Sequence, residues 1–314
     1  MKNNNPKGII LILIGMFIVS FMDATFKYIN TSVNLYEAYF VRTLISFGVI
    51  ASYLKITNKP IIFTTHYPLL TSIRVILFFF GFSSFYISLT IMPLATATAL
   101  FFASPFLITI FAIFFLKEEV GMRRWSAVIF GFIGVYIILN PDFNDFDYLS
   151  LTPVLCAVCY ALSMIIIKKT SDKDDVYSQM FHFYIFAIII SLIIYFFMGD
   201  GQYNNFDHPA SQFIFRKWFN NLEFSLPYMI FIGVIGATGF LCFFTAYRIA
   251  SPAVVSPFEY SILAWASLNG WIFFDEIPNQ RTIVGMILIV CGSIYIFIRE
   301  KAQDQSIAIE KPLR

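Results

Sequence analysis

Charged side chains interrupt several long apolar runs of this sequence, and they are the first candidates for chemistry. Asp23 and Lys27 stand four residues apart in one run, with the acid first, a spacing at which the two share a helix face. We expect them to pair. An ionised group is costly in apolar surroundings and is retained mostly where it faces a cavity or a partner. The same argument marks further residues as candidates for binding or gating a polar solute: Glu37, Arg42, Arg74, His182 and Glu259.

Each half of the chain contains a proline-interrupted segment in an apolar run: Ser104-Pro105-Phe106 in the first half and Ser256-Pro257-Phe258-Glu259-Tyr260 in the second. Proline has no backbone N–H, so it frees carbonyl groups that can line a solute cavity. Aromatic neighbours would offer ring faces to a cationic, flavin-like or aromatic solute. Because the chain has 39 phenylalanines, core or lipid-facing packing is the alternative for each of these neighbours. They are Phe101, Phe102, Phe106, Phe258, Tyr260 and Trp265.

The elements that must position these residues follow from composition. The chain has 314 residues, of which 59% are hydrophobic and 13% charged, whereas about a quarter of a soluble domain is charged. Its apolar runs are continuous and roughly 20 residues long, which predicts membrane-spanning helices and excludes a transmembrane β-barrel. We predict an all-α integral membrane protein with ten spans: 8–29, 34–54, 67–90, 93–116, 121–139, 149–167, 176–198, 226–248, 251–274 and 280–298.

The placement of lysine and arginine sets the orientation. If the N-terminus is cytoplasmic, 15 of the 21 basic residues lie on the cytoplasmic side, as the positive-inside rule requires. The tail 299–314 is then cytoplasmic too. The outer segment 199–225 is the long connection, in which we predict an interfacial helix over Gln212 to Leu222 that either anchors in the outer leaflet or covers a solute path.

We estimate the depth of each charged candidate from its distance to the end of its span, at about 1.5 Å per residue. The depths divide the candidates into two sets. Asp23, Lys27, Glu37 and Arg42 fall in the outer half, where we expect a gate or the charged part of a solute site. Arg74, His182 and Glu259 fall in the inner half and are expected to form the inward counterpart. Ion pairs that only secure helix packing remain the alternative, and His182 fits packing best.

The second half of the chain repeats the first. A shift of 158 positions aligns Ala95 with Ala253, Phe115 with Phe273, Glu118 with Glu276 and Gly134 with Gly292, without a gap. Five spans in each half place the two copies, 8–139 and 149–298, in opposite orientations. Inverted repeats are typical of transporters that alternate access around a midplane site.

These residues resemble a known family. The stretch from Met92 to Pro105, the turn Phe115-Leu-Lys-Glu-Glu119 and the second-copy turn Phe273-Phe-Asp-Glu276 are similar to the EamA-type domain of the drug/metabolite transporter superfamily. The resemblance implies a ten-helix carrier of small organic metabolites in a bacterial inner membrane. Pro257 departs from the pattern, because the family proline of the second copy would fall at Leu263.

Within the superfamily, three stretches look most like bacterial carriers of S-adenosylmethionine or riboflavin. They are Met22-Asp-Ala-Thr-Phe-Lys27, Phe40-Val-Arg42 and Arg123-Arg-Trp125. An exporter of amino acids, drugs or other metabolites is the alternative within the family. An integral-membrane enzyme or a scaffold is the alternative outside it, and both are disfavoured because neither needs two opposed copies of one unit.

The remaining expectations concern structure and partners. Glu118 and Glu276 stand in turns ahead of spans five and ten, where an acid stabilises a helix N-terminus, so we assign them structural roles. Cys156-Ala-Val-Cys159 has no second pair or nearby histidine, which argues against a metal site. We expect no cofactor and no nucleic-acid partner. The expected partners are the lipid bilayer and a small-molecule solute, and both a monomer and a homodimer fit.

Overall fold

The computed structural model describes residues 5–116, 129, 133–138, 148–170, 173–249, 256–288 and 290–291. Every regular element in these residues is helical. The helices are α1 (Asn5–Ile29), α2 (Leu35–Ile56), α3 (Pro68–Ser88), α4 (Leu94–Phe101), α5 (Ser104–Leu116), α6 (Thr152–Thr170), α7 (Val176–Met198), α8 (Pro209–Phe215), α9 (Leu222–Ile249) and α10 (Ser261–Phe274). Short 3-10 turns cover Tyr148–Leu151 and Ser256–Tyr260, and residues 133–138 and 280–288 are also helical.

Six of these helical segments are long and apolar enough to cross a membrane: Pro6–Ile29, Leu35–Ile56, Pro68–Ser88, Tyr148–Ile167, Val176–Met198 and Leu222–Ala246. Large apolar side chains point outward, for example Phe80, Phe114 and Phe196, the last of which is 87% exposed. Such a surface needs lipid rather than water around it. The chain is therefore a multi-pass membrane protein. Most of predicted span 121–139, the end of span 280–298, Glu118 and the tail 299–314 lie outside the described residues.

Predicted span 93–116 is not one helix. It divides into α4 and α5, with Phe102 and Ala103 in a turn between them. Pro105 lacks the N–H that would bond to the carbonyl of Phe101, so a continuous helix would lose that hydrogen bond. In the second half, the 3-10 turn Ser256–Tyr260 contains Pro257 and precedes α10, which continues unbroken through Leu263. The side chains of Pro105 and Pro257 lie outside the description.

The expected interfacial helix over 212–222 is wrong. The only helix within 199–221 is α8, which ends at Phe215, and Arg216 adopts an extended backbone. The cause is a tertiary contact, because the Arg216 guanidinium donates to the carbonyls of Asn30 (3.0 Å) and Val33 (2.8 Å). Phe213 and Trp218 are buried against the protein. They therefore do not lie free in the outer leaflet.

Small residues allow the helices to approach closely. α1 packs along α9, α3 packs along α6, and α2 bridges α7 and α9. A Cβ added to Gly233 on α9 would lie 2.7 Å from the Cβ of Ile45 on α2, and one added to Gly81 on α3 would lie 2.7 Å from the Cβ of Cys159 on α6. At Gly233, therefore, the absence of a side chain lets α9 approach α2 closely. Ser46 adds a hydrogen bond of 2.7 Å to the Gly233 carbonyl.

Candidate functional site

A buried polar network occupies the predicted outer half. The Tyr86 hydroxyl on α3 donates to Asp23 Oδ1 on α1 over 3.2 Å, and Arg42 Nη1 on α2 lies 3.5 Å from the same hydroxyl. The Arg42 guanidinium also stands 4.7 Å from the ring centre of Tyr39 and 5.5 Å from that of Phe26. Tyr86 thus joins an acid and a base that belong to different helices, and aromatic faces stabilise the cation.

The expected pairing of Asp23 with Lys27 is wrong. Lys27 Nζ instead lies 2.6 Å from Glu276 Oε1 and donates to the Met92 carbonyl over 2.8 Å. Asp23 is turned toward α3, and Lys27 is turned toward the segment that follows α10. Helical spacing places both residues on one face, but the neighbouring helices supply the better partner for each.

Glu276 also stabilises a helix N-terminus, but that of α4 instead of the expected start of span ten. Its Oε2 accepts the backbone N–H of Leu94, the first residue of α4, over 3.1 Å. A carboxylate at that position is favoured by the helix dipole. One side chain therefore connects α1, α4 and the segment that follows α10.

Aromatic rings fill the space between the two broken segments. Phe102, in the turn between α4 and α5, contacts Tyr260 with ring centres 4.7 Å apart. Phe101 lies 5.1 Å from Tyr160 on α6, whose ring also contacts Phe78, Phe82 and Phe243. Glu259 is 5% exposed and acts electrostatically on Tyr160. A buried acid therefore borders a cluster of ring faces.

Trp265 does not join this aromatic cluster. Its ring packs edge-on against Phe17 on α1, with centres 4.8 Å apart, and Phe17 is itself exposed. Glu37 lies in the first turn of α2, fully buried, where it interacts with the charge of Arg216. Burial lowers the pKa of Arg216, while Glu37 acts against that shift. The predicted site residues therefore occupy several separate places rather than one.

In the predicted inner half, Arg74 on α3 is 2% exposed and its Nη2 donates to the Gln179 carbonyl on α7 over 3.0 Å. His182 is half-buried, and its Nδ1 lies 2.7 Å from the Ser178 carbonyl one turn earlier on the same helix. Arg74 therefore reaches between helices, whereas the described bonds of His182 stay within α7.

Two sets of hydrogen bonds lie at opposite ends of α2 and α7. We call the first the Asp174 latch: Asp174 Oδ1 accepts the His66 backbone N–H (2.9 Å), Oδ2 accepts the Thr65 hydroxyl (2.5 Å), and Ser178 Oγ donates to the Thr64 carbonyl (2.9 Å). Burial alone would raise the pKa of Asp174, but the bonds from His66 and Thr65 outweigh it and hold that pKa below its usual value. The latch joins segment 57–67 to the start of α7.

The second set, the Arg216 latch, has the same construction. Asn34 Nδ2 donates to the carbonyls of Ile214 (2.5 Å) and Arg216 (2.8 Å), and Arg216 returns bonds to Asn30 and Val33. Asn34 also caps α2 by accepting from the Tyr36 N–H, as Asp175 caps α7 by accepting from Tyr177. In each latch, the start of one helix is held by a segment that joins two others.

Sequence reasoning missed residues that lie between or beside the predicted charges, chiefly Tyr86, Tyr160 and Asp174. For α3 a signal was present. Steps of four residues from Arg74 lead to Phe78, Phe82 and then Tyr86, one continuous helix face. Asp174 had no comparable signal, because its partners Thr65 and His66 lie more than a hundred residues away.

Relatives of this chain are membrane transporters. A protein of Rickettsia prowazekii named S-adenosylmethionine uptake transporter is 29% identical over 95% of each chain. A riboflavin transporter of Vibrio cholerae is 30% identical over 65% of this chain and 63% of its own length. A pseudopaline exporter of Pseudomonas aeruginosa is 23% identical over 91% of this chain and 94% of its own.

A comparison with solved structures and a family model also match this chain. One solved crystal structure superposes with a TM-score of 0.62, covers 93% of this chain and 98% of its own, and shares 14% of residues, which shows a common fold. The model of the EamA-like transporter family matches residues 6–140 and again residues 149–298. The chain belongs to the EamA-like transporter family.

Proposed function

We propose that this chain is a secondary transporter of an S-adenosylmethionine-like metabolite in a bacterial inner membrane. The observation that carries this proposal is the buried acid Glu259 beside the ring cluster of Phe101, Tyr160 and Tyr260. A sulfonium cation is stabilised by ring faces and by a carboxylate. The S-adenosylmethionine uptake transporter of Rickettsia prowazekii matches nearly the whole chain, which supports the same solute.

We further propose ten spans in two inverted five-helix repeats with both termini cytoplasmic. In the proposed repeat, α1 of the first half corresponds to α6 of the second, and α3 corresponds to α9. The contact of α1 with α9 therefore corresponds to the contact of α6 with α3, and both pairs pack closely. The register that aligns Ala95 with Ala253 also pairs Phe102 with Tyr260, and these two rings touch. Contact between equivalent residues is expected at a two-fold axis between repeats, so the ring cluster would lie at the midplane.

The two latches suit alternating access. With the proposed orientation, the Asp174 latch closes the cytoplasmic end, and the Arg216 latch, together with Lys27 and Glu276, closes the outer end. Opening one end while the other stays closed would expose the central cluster to each side in turn. Each latch consists of hydrogen bonds between loops and helix ends, which can break without unpacking a helix.

A riboflavin-like solute is the second candidate, because an isoalloxazine ring would also stack on the phenylalanines of the cluster. The match to the riboflavin transporter supports it over about two thirds of the chain. Export of another metabolite is a third possibility, which the pseudopaline exporter illustrates. The family and its relatives are transporters, and we propose that the chain has no enzymatic activity.

Uptake into proteoliposomes tests this proposal. We expect saturable uptake of labelled S-adenosylmethionine, competed by the unlabelled compound and not by riboflavin or a mixture of amino acids. Glu259→Gln should abolish it, whereas Glu223→Gln, an exposed acid at the start of α9, should not. Repeating the assay with an imposed pH gradient separates a proton-coupled carrier from an exchanger. Competition by riboflavin alone would reverse the ranking of the two solutes.

A further inference from the structure

Arg74 is a deeply buried cation without an ion-pair partner among the described residues. Its guanidinium makes one hydrogen bond, to the Gln179 carbonyl. Within the described ranges, the ion pairs are Lys27 with Glu276 and His66 with Asp174, so no carboxylate lies within 4 Å of Arg74. A buried charge is retained at a cost unless something compensates it. Toward the described residues, most of the donor capacity of this side chain is therefore unmatched.

Arg74 borders a cavity. Arg74 lines it together with Gln179 and aromatic side chains from three helices: Phe78 on α3, Phe183 and Tyr184 on α7, and Phe240 and Phe244 on α9. The volume of this cavity is about 20 Å³, enough for a water-sized molecule. None of the described residues that line it is acidic. The lining therefore matches the chemistry of a group with an apolar body and an anionic end, which would need a wider opening than the one shown here.

We propose that Arg74 binds the carboxylate of the transported solute. The planar guanidinium presents paired N–H donors that match the two oxygens of a carboxylate, and such bidentate contacts are strong in a site that excludes water. The aromatic walls would hold the apolar part of the solute. This inference rests on the proposed function and narrows it to carboxylate-bearing solutes.

The position of Arg74 in the fold supports this role. It stands six residues into α3, about 9 Å from the helix start. The Asp174 latch lies directly beyond it, since Gln179 follows Ser178 of the latch and the Thr71 hydroxyl on α3 contacts that of Thr65. Asp174 is the acid whose charge acts on Arg74. A solute carboxylate would thus meet Arg74 as the latch opens or closes.

The ring cluster and the Arg74 cavity share a neighbouring residue. Phe78 lines the Arg74 cavity and also contacts Tyr160, the ring on which Glu259 acts. A zwitterionic solute could place its cationic group near Glu259 and its carboxylate at Arg74. The inference separates the two candidate solutes, because S-adenosylmethionine carries a carboxylate and riboflavin carries none.

The test compares S-adenosylmethionine with its decarboxylated form as competitors of labelled S-adenosylmethionine uptake by the wild-type protein in proteoliposomes. We expect the decarboxylated compound to compete about tenfold more weakly or worse, because it loses a charged hydrogen-bonded contact. In Arg74→Met this difference should vanish, and Arg74→Lys should restore part of it. The matched control is Arg281→Met, which removes an exposed arginine of helix 280–288 and should keep the wild-type ratio.

Elution as a single species and an unchanged thermal unfolding midpoint establish that each variant is folded. The comparison in the wild-type protein needs no variant at all. Equal competition by the two compounds would overturn the role of Arg74 while leaving S-adenosylmethionine transport in place. Uptake of riboflavin without uptake of S-adenosylmethionine would overturn both the proposed solute and the carboxylate contact.

Discussion

At the scale of single residues, Tyr86 decides whether the outer charges form one network. Its hydroxyl lies between Asp23 and Arg42, and its ring stacks on Phe26 with centres 3.9 Å apart. Neither charged group has an opposite charge within ion-pair distance in the described part of the chain. The neutral phenol therefore bridges two charged groups that a salt bridge would otherwise join directly.

Tyr86→Phe removes only the hydroxyl from this network. We expect S-adenosylmethionine uptake to fall about tenfold and stability to fall by roughly 1–2 kcal/mol, because Asp23 loses a buried donor. Tyr203→Phe, on the exposed outer segment, is the matched control and should change neither quantity. Uptake and thermal unfolding measured on the same preparations check this. Wild-type uptake by Tyr86→Phe would show that the network is not needed for transport.

The partner of Lys27 shows what residue spacing alone cannot predict. The sequence correctly marks Asp23, Lys27, Arg42 and Arg74 as charges inside apolar helices, and the structure buries each of them or pairs it. The sequence does not reveal that Lys27 turns toward Glu276, because this pairing depends on how α1 is rotated against α10 and α4. Spacing along one helix constrains neighbours on that helix, whereas partners on other helices are set by packing.

At the scale of elements, glycine contacts hold α9 against α1 and α2. Gly233→Ala would bring a Cβ to 2.7 Å from the Cβ of Ile45 and 3.0 Å from the Arg42 carbonyl. We expect a loss of about 1–3 kcal/mol, the usual cost of overpacking, since the Arg42 backbone cannot yield easily. Gly48→Ala is the matched control, because nothing lies within 4 Å of its added Cβ. That change should be neutral or stabilising by up to about 1 kcal/mol.

Thermal unfolding of both glycine variants in detergent gives the comparison. A larger loss in Gly48→Ala than in Gly233→Ala would contradict the packing of α9 described here. Because Arg42 belongs to the tight contact, uptake by Gly233→Ala should fall as well.

The proposed gating role of the Asp174 latch can be tested through the accessibility of a residue behind it. In a background without the native cysteines, Thr71→Cys places a thiol at a buried position behind the latch. We expect Asp174→Asn to raise its rate of labelling by a maleimide about tenfold, since charge-assisted bonds to Thr65 and His66 are lost. Asp175→Asn is the matched control, because asparagine caps α7 equally well and the latch bonds stay.

The latch also has a defined pH dependence. Its bonds hold the pKa of Asp174 below the ordinary value, so the carboxylate favours the latched form above an ordinary carboxyl pKa of about 3.9. That contribution is lost as the pH falls through the lowered pKa. Because a maleimide reacts with the thiolate, the rate for Thr71→Cys is compared at each pH with the rate for the same cysteine in Asp174→Asn. The ratio of the two rates should be constant between about pH 5 and 8 and approach one only in stronger acid. A change of that ratio near neutral pH would assign control of the latch to another group.

Local composition predicts the elements of this fold better than their ends. Long apolar runs predict the six spanning helices, whereas the run 93–116, predicted as a single span, divides into α4 and α5 just before Pro105. The helix expected over 212–222 fails because Arg216 is captured by the carbonyls of Asn30 and Val33. Amphipathic pattern cannot anticipate such capture, since the carbonyls belong to a turn almost two hundred residues earlier.

At the scale of the whole molecule, the two latches must lie on opposite sides of the membrane if the halves are inverted. Segment 57–67 contains the exposed Ile61, and the outer segment contains the exposed Asn205. α2 and α3 are both long enough to span the membrane, so segment 57–67 lies on the side where α2 ends and α3 starts. An odd number of crossings between Ile61 and Asn205 then separates them.

Single-cysteine variants Ile61→Cys and Asn205→Cys in the cysteine-free background test this arrangement in intact bacteria. A membrane-impermeant maleimide should label Asn205→Cys directly and Ile61→Cys only after the membrane is permeabilised. The expected side follows from the excess of lysine and arginine near segment 57–67 and the N-terminus. Direct labelling of Ile61→Cys, with labelling of Asn205→Cys only after permeabilisation, would reverse the orientation and make the Asp174 latch the outer gate. Labelling of both from one side would rule out an inverted arrangement of the halves, because an even number of crossings cannot place equivalent latches on opposite faces.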